Sequence, residues 1–168
     1  MNGLRALSLW VLCVATAHAT DDVLFTDFNG QPQTIESHIA DGQWLLVMFW
    51  AHNCHICNQE ATSYARFHTA HADRDARVLG VSIDGPEHQA EATDFIDRHR
   101  LPFPNLIAEP AVAMLYFMSL TGEPFRGTPT FLLYAPDGTL TAVQAGAVPV
   151  DSIEAFIAKH ATGAAARR

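Results

Sequence analysis

Two cysteines three residues apart, Cys54-His55-Ile56-Cys57, are the residues of this chain best suited to chemistry. A close pair of thiols can exchange electrons as a disulfide or hold a soft metal ion. The third cysteine, Cys13, lies in an apolar N-terminal segment and precedes the pair by some forty residues. One close pair gives no stapling framework, so its purpose is reactive or metal-binding rather than structural. His52 and His55 flank Cys54 and would favour its thiolate when protonated, and Trp50 belongs to the same segment. Together with the cysteines, the two histidines also form a possible N/S set for Cu(I) or Zn(II). Asn58 stands where C-x-x-C-H would need histidine, which excludes covalent haem attachment.

Position gives the pair its meaning. The run Trp44–Trp50 (WLLVMFW) is apolar without a period, as expected of a strand buried on both faces. From Cys54 to His71 there is no Gly or Pro, and Ile56, Tyr64, Phe67 and His71 fall near helical spacing. The cysteines therefore stand at a strand-to-helix junction. There, free N–H groups and the positive end of the helix dipole stabilise a thiolate. Cysteines on one helical turn have Cα atoms about 5 to 6 Å apart, within disulfide reach. Cys54, at the exposed cap, is the expected nucleophile and Cys57, one turn in, the resolving thiol. A thiol of pKa near 8.5 is only about 3% thiolate at pH 7, and one lowered to about 6 is roughly 90%.

The elements that must hold this junction follow from the same patterning. Asn29-Gly30 signals a hairpin after an alternating segment. A second buried strand over Val78–Ile83 ends at Asp84-Gly85-Pro86, and a helix over Glu87–His99 turns Ala90, Phe95 and Ile96 inward. A short strand follows at Leu106-Ile107, then a helix from Pro110 to about Leu120, in which Tyr116-Phe117-Met118 reads as core. Phe131–Tyr134 and Leu140–Gln144 form a hairpin about Pro136-Asp137-Gly138. Asp151 or Ser152 caps a last helix with Ile153, Phe156 and Ile157 inward. The fold class is α/β, a central mixed β-sheet flanked by helices.

Composition bounds the rest. The chain has 168 residues, 49% hydrophobic and 17% charged, with a net charge of −8, which fits one domain with a sizeable core. No Lys/Arg cluster tracks phosphate, so nucleic acid is not an expected partner. Met1–Ala19, with Arg5, an apolar stretch and Ala17-His18-Ala19, reads as a cleavable signal peptide too short to span a bilayer. Its removal leaves 149 residues as one domain over 20–168, takes the charge to −9 with the loss of Arg5, and implies a periplasmic location. The tail, 163–168, is expected to fray. His68 and His71, three apart, are a metal pair or polar helix-surface residues, the latter favoured.

Phe49-Trp50-Ala51-His52-Asn53-Cys54-His55-Ile56-Cys57 resembles the F-W-A-x-x-C-x-x-C segment of the thioredoxin superfamily, and the similarity runs from about Leu24 to Lys159. The leading hairpin and the strand–helix unit Val78–Arg100 resemble the TlpA/ResA-like branch of exported thiol:disulfide oxidoreductases. Glu60 matches an acidic position of that branch. The resemblance implies a thioredoxin fold and an enzyme that needs no cofactor. It also implies a Cys54–Cys57 redox disulfide and a cis peptide bond at Thr128-Pro129, where an extended substrate segment would pair. Its partners would be exported proteins with thiols or disulfides and a membrane redox protein. Three positions depart from the pattern: Met48 replaces the buried Asp that serves the resolving cysteine, Thr62 replaces a helix-kinking Pro, and His55 replaces the Pro of reductase motifs. Glu60 and Glu87 are candidate proton relays in place of the missing Asp. The branch implies reductase work, whereas Thr128 and the His-bearing motif look more like an oxidase or isomerase. A copper-handling chaperone is the alternative of a different class. A peroxiredoxin-type peroxidase is disfavoured by the missing P-x-x-x-T-x-x-C pattern.

Overall fold

The computed structural model describes residues 25–39 and 42–165, with the side chains of 161–165 left aside. The expected leader 1–19 and Cys13 lie outside these residues, as do 166–168. A seven-stranded sheet has the order β2-β1-β5-β4-β3-β6-β7. The strands are β1 (Phe25–Asp27), β2 (Pro32–Gln33), β3 (Trp44–Trp50), β4 (Ala76–Ser82), β5 (Asn105–Ile107), β6 (Thr130–Tyr134) and β7 (Leu140–Ala145). β3, β4 and β5 are parallel, and all other pairings are antiparallel. The helices are α1 (His55–His71), α2 (Gln89–His99), α3 (Pro110–Thr121) and α4 (Val150–Ala165). The mixed sheet flanked by helices is the architecture expected from the sequence, with the hairpin β1–β2 and the unit β4–α2 in their expected places.

β3 is central, with β4 on one side and β6 on the other, and all seven of its residues are buried. Its alternate side chains divide between two cores. Trp44, Leu46, Met48 and Trp50 pack with Cys57, Tyr64, Phe67, Phe95 and Ile157 from α1, α2 and α4. Leu45, Val47 and Phe49 pack with Ala113 and Phe117 of α3. Two covered faces are why the run shows no period. Helix α1 runs unbroken through Thr62. Its Tyr64 hydroxyl donates to the Val148 carbonyl at 2.9 Å and so ties α1 to the approach to α4. Burial pushes that phenol up to about 12, with the charge of Glu60 adding to the effect.

Several expected faces differ. Ile56 is 42% exposed, because it lies in the first turn of α1, beyond the core that begins at Cys57. On α2 the buried residue is Ala92 rather than Ala90, since the helix begins at Gln89 after a single turn at 86–88. In α3 only Phe117 of the Tyr116-Phe117-Met118 cluster is fully buried, while Met118 and Leu115 are exposed. Helix α4 starts at Val150, a residue before the expected caps, and continues through the first three residues of the expected tail. Gly80 on β4 has a reason of its own. A Cβ there would collide with the Asn105 side chain and stand 2.9 Å from Trp50 Nε1.

Candidate active site

The chain leaves β3 at Trp50 and reaches α1 through Ala51–Cys54. Cys54 is the N-cap of α1, with extended backbone (φ −71°, ψ 112°). Its Sγ accepts the Cys57 N–H at 3.1 Å, so sulfur occupies the place that a serine or aspartate oxygen takes in other helices. Cys54 and Cys57 are disulfide-bonded, with Cα atoms 5.2 Å apart. Cys57 is wholly buried and Cys54 is half-buried. Of the two cysteines, Cys54 is the more accessible. The peptide bond Thr128–Pro129 is cis, and the Thr128 carbonyl oxygen lies 3.4 Å from Cys54 Sγ.

Around this centre the other expected residues separate. His55 is exposed on the first turn of α1. His52 is half-buried, and its Nδ1 is 2.7 Å from Asp84 Oδ1. Trp50 lies in the core, stacked on Phe95 at 4.3 Å, with its Nε1 donating to Asn105 Oδ1 at 3.1 Å. Met48, where the superfamily has its buried Asp, is enclosed between β4 and β6. Glu60 is half-buried on α1 and borders a cleft with Arg66, Asp151 and Glu154, and Glu87 is exposed on the turn 86–88. Among the described residues, neither carboxylate hydrogen-bonds to a cysteine. Nor does any group of three His, Cys, Asp or Glu side chains among them have the geometry to hold a metal. His52, Cys54, His55 and Cys57 thus do not gather as a ligand set.

His68 and His71 are neither a metal pair nor free surface residues. His68 Nδ1 accepts the Val78 N–H at 3.0 Å, and burial, followed by the nearby Arg77 charge, lowers its pKa. His71 bridges Asp75 (2.7 Å) and Glu154 (3.2 Å), carboxylates beyond the helix end and on α4.

Three contributors escaped the sequence reading. Asp84, the first residue of the Asp-Gly-Pro turn, has a side chain only 4% exposed and accepts from His52 and Ser82. Asn58 Nδ2 donates to the carbonyls of His52 (3.0 Å) and Cys54 (2.9 Å), gathering the loop onto the first turn of α1. His99 Nε2 is 3.1 Å from Asn58 Oδ1. Since the Asn58 amide nitrogen donates elsewhere, its oxygen accepts, and His99 carries its proton on Nε2. Burial, then the neighbouring Arg98, lowers the His99 pKa. Only the polar character of Asn58 and its spacing from Cys54 signalled any of this in the sequence.

Comparison with known proteins places this geometry. Alkyl hydroperoxide reductase C of Mycobacterium tuberculosis is 36% identical over 75 residues, 44% of this chain and 38% of that protein. The chain thus spans well under half the length of that relative. The thiol-disulfide oxidoreductase ResA of Halalkalibacterium halodurans is 24% identical over 131 residues, 78% of this chain and 69% of its own. Among solved structures, a secreted M. tuberculosis disulfide oxidoreductase homologous to E. coli DsbE superposes with a TM-score of 0.60 at 23% identity. That superposition covers 80% of this chain and 92% of the other. The fold is the thioredoxin fold. Residues 17–143 match the AhpC/TSA family, and the chain belongs to it.

Proposed function

We propose that the protein is a thiol:disulfide oxidoreductase that exchanges disulfides with exported proteins through Cys54 and Cys57. The observation that carries this reading is a disulfide whose outer sulfur caps α1 beside the Thr128 carbonyl while its inner sulfur is buried. In the reducing direction, Cys54 thiolate attacks a partner disulfide, and one partner sulfur leaves and takes a proton. Cys57 then attacks Cys54 Sγ, releases the second partner sulfur and closes the enzyme disulfide, so two electrons pass to the partner. The oxidised enzyme runs the same steps backwards. Thr128 supplies backbone groups against which an extended partner segment pairs as a short strand. A leader at 1–19, a periplasmic location and regeneration by a membrane redox protein complete the reading. The likeness to a secreted oxidoreductase supports them.

The reducing direction is favoured by the similarity to ResA. A helix-capping sulfur stabilises the thiolate and hence the reduced form. Thr128 before the cis-proline and His55 within the motif look more like an oxidase or isomerase, and on that ground the potential is expected above that of thioredoxin, about −270 mV. Glutathione equilibration measures it, and a value below −270 mV contradicts this part. The test of the whole is insulin reduction: Cys54→Ser is expected to fall to the uncatalysed rate, and activity equal to wild type ends the proposal. The similarity to alkyl hydroperoxide reductase favours a second reading, peroxide reduction. Against it, Val47 and Ala51 stand where P-x-x-x-T-x-x-C requires Pro and Thr. Peroxide consumption exceeding insulin reduction would decide for it.

A further inference from the structure

Cys54 is held against α1 in two ways. One is covalent, the disulfide to Cys57. The other is the half-buried side chain of Asn58, near the start of the helix. Its Nδ2 donates to the His52 carbonyl at 3.0 Å and to the Cys54 carbonyl at 2.9 Å. The Asn58 backbone N–H donates to the same Cys54 carbonyl at 3.1 Å. A primary amide has two N–H bonds, and both are used here. The Cys54 N–H closes a turn onto the Ala51 carbonyl at 3.1 Å, so the loop 51–54 is tied both within itself and to α1.

Asn58 is in turn held from α2. His99 Nε2 donates to Asn58 Oδ1 at 3.1 Å, and the His99 ring rests on Phe95 with centroids 4.6 Å apart. That bond and the two carbonyls agree on which way the amide faces, since its oxygen only accepts and its nitrogen only donates. The position asks for a carboxamide. A leucine of similar size has no donor for the carbonyls, and an aspartate would set a carboxylate against two carbonyl oxygens.

We infer that Asn58, oriented by His99, is a positioning residue that holds Cys54 Sγ over the Cys57 N–H once the disulfide is reduced, and so sets the balance between the two redox forms. In the oxidised protein the S–S bond keeps Cys54 on the first turn of α1, and the amide duplicates that restraint. Reduction removes the covalent one. A partner dithiol supplies two electrons: its sulfurs close a disulfide as the Cys54–Cys57 bond opens. Cys57 keeps one of the partner's protons, and Cys54, as thiolate, leaves the other to solvent. From then on the two Nδ2 bonds keep the Cys54 main chain where its sulfur receives the Cys57 N–H, at 3.1 Å here. That N–H stabilises the thiolate. Loss of the amide therefore weakens the reduced form more than the oxidised one. The inference rests on the exchange reading and adds to it a residue that tunes the pair.

The test compares the two redox forms. In equilibration with glutathione, Asn58→Ala is expected to raise the constant for closing the enzyme disulfide about fivefold, which for a two-electron couple lowers the potential by about 20 mV. His99→Phe keeps a ring against Phe95 but loses the donor. It is expected to act in the same sense, less strongly, and to add nothing in the Asn58→Ala background. Asn58→Asp is expected to exceed Asn58→Ala, because a carboxylate beside the thiolate opposes it. In a Cys57→Ser background, which has no active-site disulfide, Asn58→Ala is expected to slow alkylation of Cys54 by iodoacetamide at pH 6 about threefold. A residue that only supports the fold would weaken both redox forms alike, so urea unfolding of each form accompanies these measurements. Equal losses with an unchanged glutathione constant, an unchanged alkylation rate, or full additivity of His99→Phe with Asn58→Ala overturns the inference. Should Asn58→Ala not fold, Asn58→Asp and His99→Phe decide by the same constant. No protein substrate enters these measurements, so their failure leaves the insulin assay to judge the exchange reading.

Discussion

The two ends of α1 carry similar residues under opposite conditions. At the N-terminal end, Cys54, His55 and Ile56 are wholly or partly exposed, and the sulfur itself receives a helix N–H. At the C-terminal end, His68 and His71 are committed: one accepts the Val78 N–H, and the other sits between Asp75 and Glu154. The dipole adds to the contrast, favouring negative charge at the first end and positive charge at the second. A histidine beside a helix is thus reactive or structural according to whether its nitrogens are already spent. The CxxC end has the sulfur and an exposed imidazole to spare, whereas at the far end His68 has one nitrogen engaged and His71 both.

The largest expected break in this contrast is His68→Ala. It leaves the Val78 N–H without its partner between α1 and β4 and should cost about 1–3 kcal/mol in urea unfolding. Alkylation of reduced Cys54 should not change. A similar slowing of alkylation would mean that the two ends are coupled. Next in size is the pH dependence of stability. His68, His38 and His99 have folded pKa values below 6.5, so the unfolded chain binds more protons as pH falls. Their contribution is therefore neutral above about pH 7 and increasingly destabilising as pH falls through 6.5 and then through the lowered folded values. Unfolding at pH 8 and pH 5.5 should show this loss, and His68→Gln should reduce it. A loss undiminished by that substitution would place it elsewhere. The smallest effect belongs to Ile56→Ser, expected to shift stability by no more than about 0.5 kcal/mol because the side chain is outside the core. Its effect should appear as a raised KM for protein disulfides with small disulfides unaffected. Equal losses on both would point to the sulfurs rather than the rim.

What the sequence revealed followed the same division. Trp44–Trp50 was legible because a strand covered on both faces has no polar position, and Cys54–Cys57 because strand, cap and helix all signal locally. Ile56 misled because helical spacing does not say where the core begins. Asp84 was hidden by a sufficient local explanation: Asp-Gly-Pro is a turn signal whatever else the aspartate does. Its partner His52 is 32 residues earlier, and only the parallel pairing of β3 with β4 brings the two strand ends side by side. His99 and Asn58 likewise meet through the packing of α2 on α1, which no periodicity reports.

Gly80 carries the demands of the sulfur pair one strand outward. The indole of Trp50 lies flat on Phe95 because its nitrogen is moored to Asn105, and that mooring passes through space a methyl group at position 80 would fill. A residue that touches neither cysteine is therefore bound to its smallest form by the floor beneath them. Drift in the chain can rework the rim around residue 56 far more freely than this bare spot in the middle of the sheet.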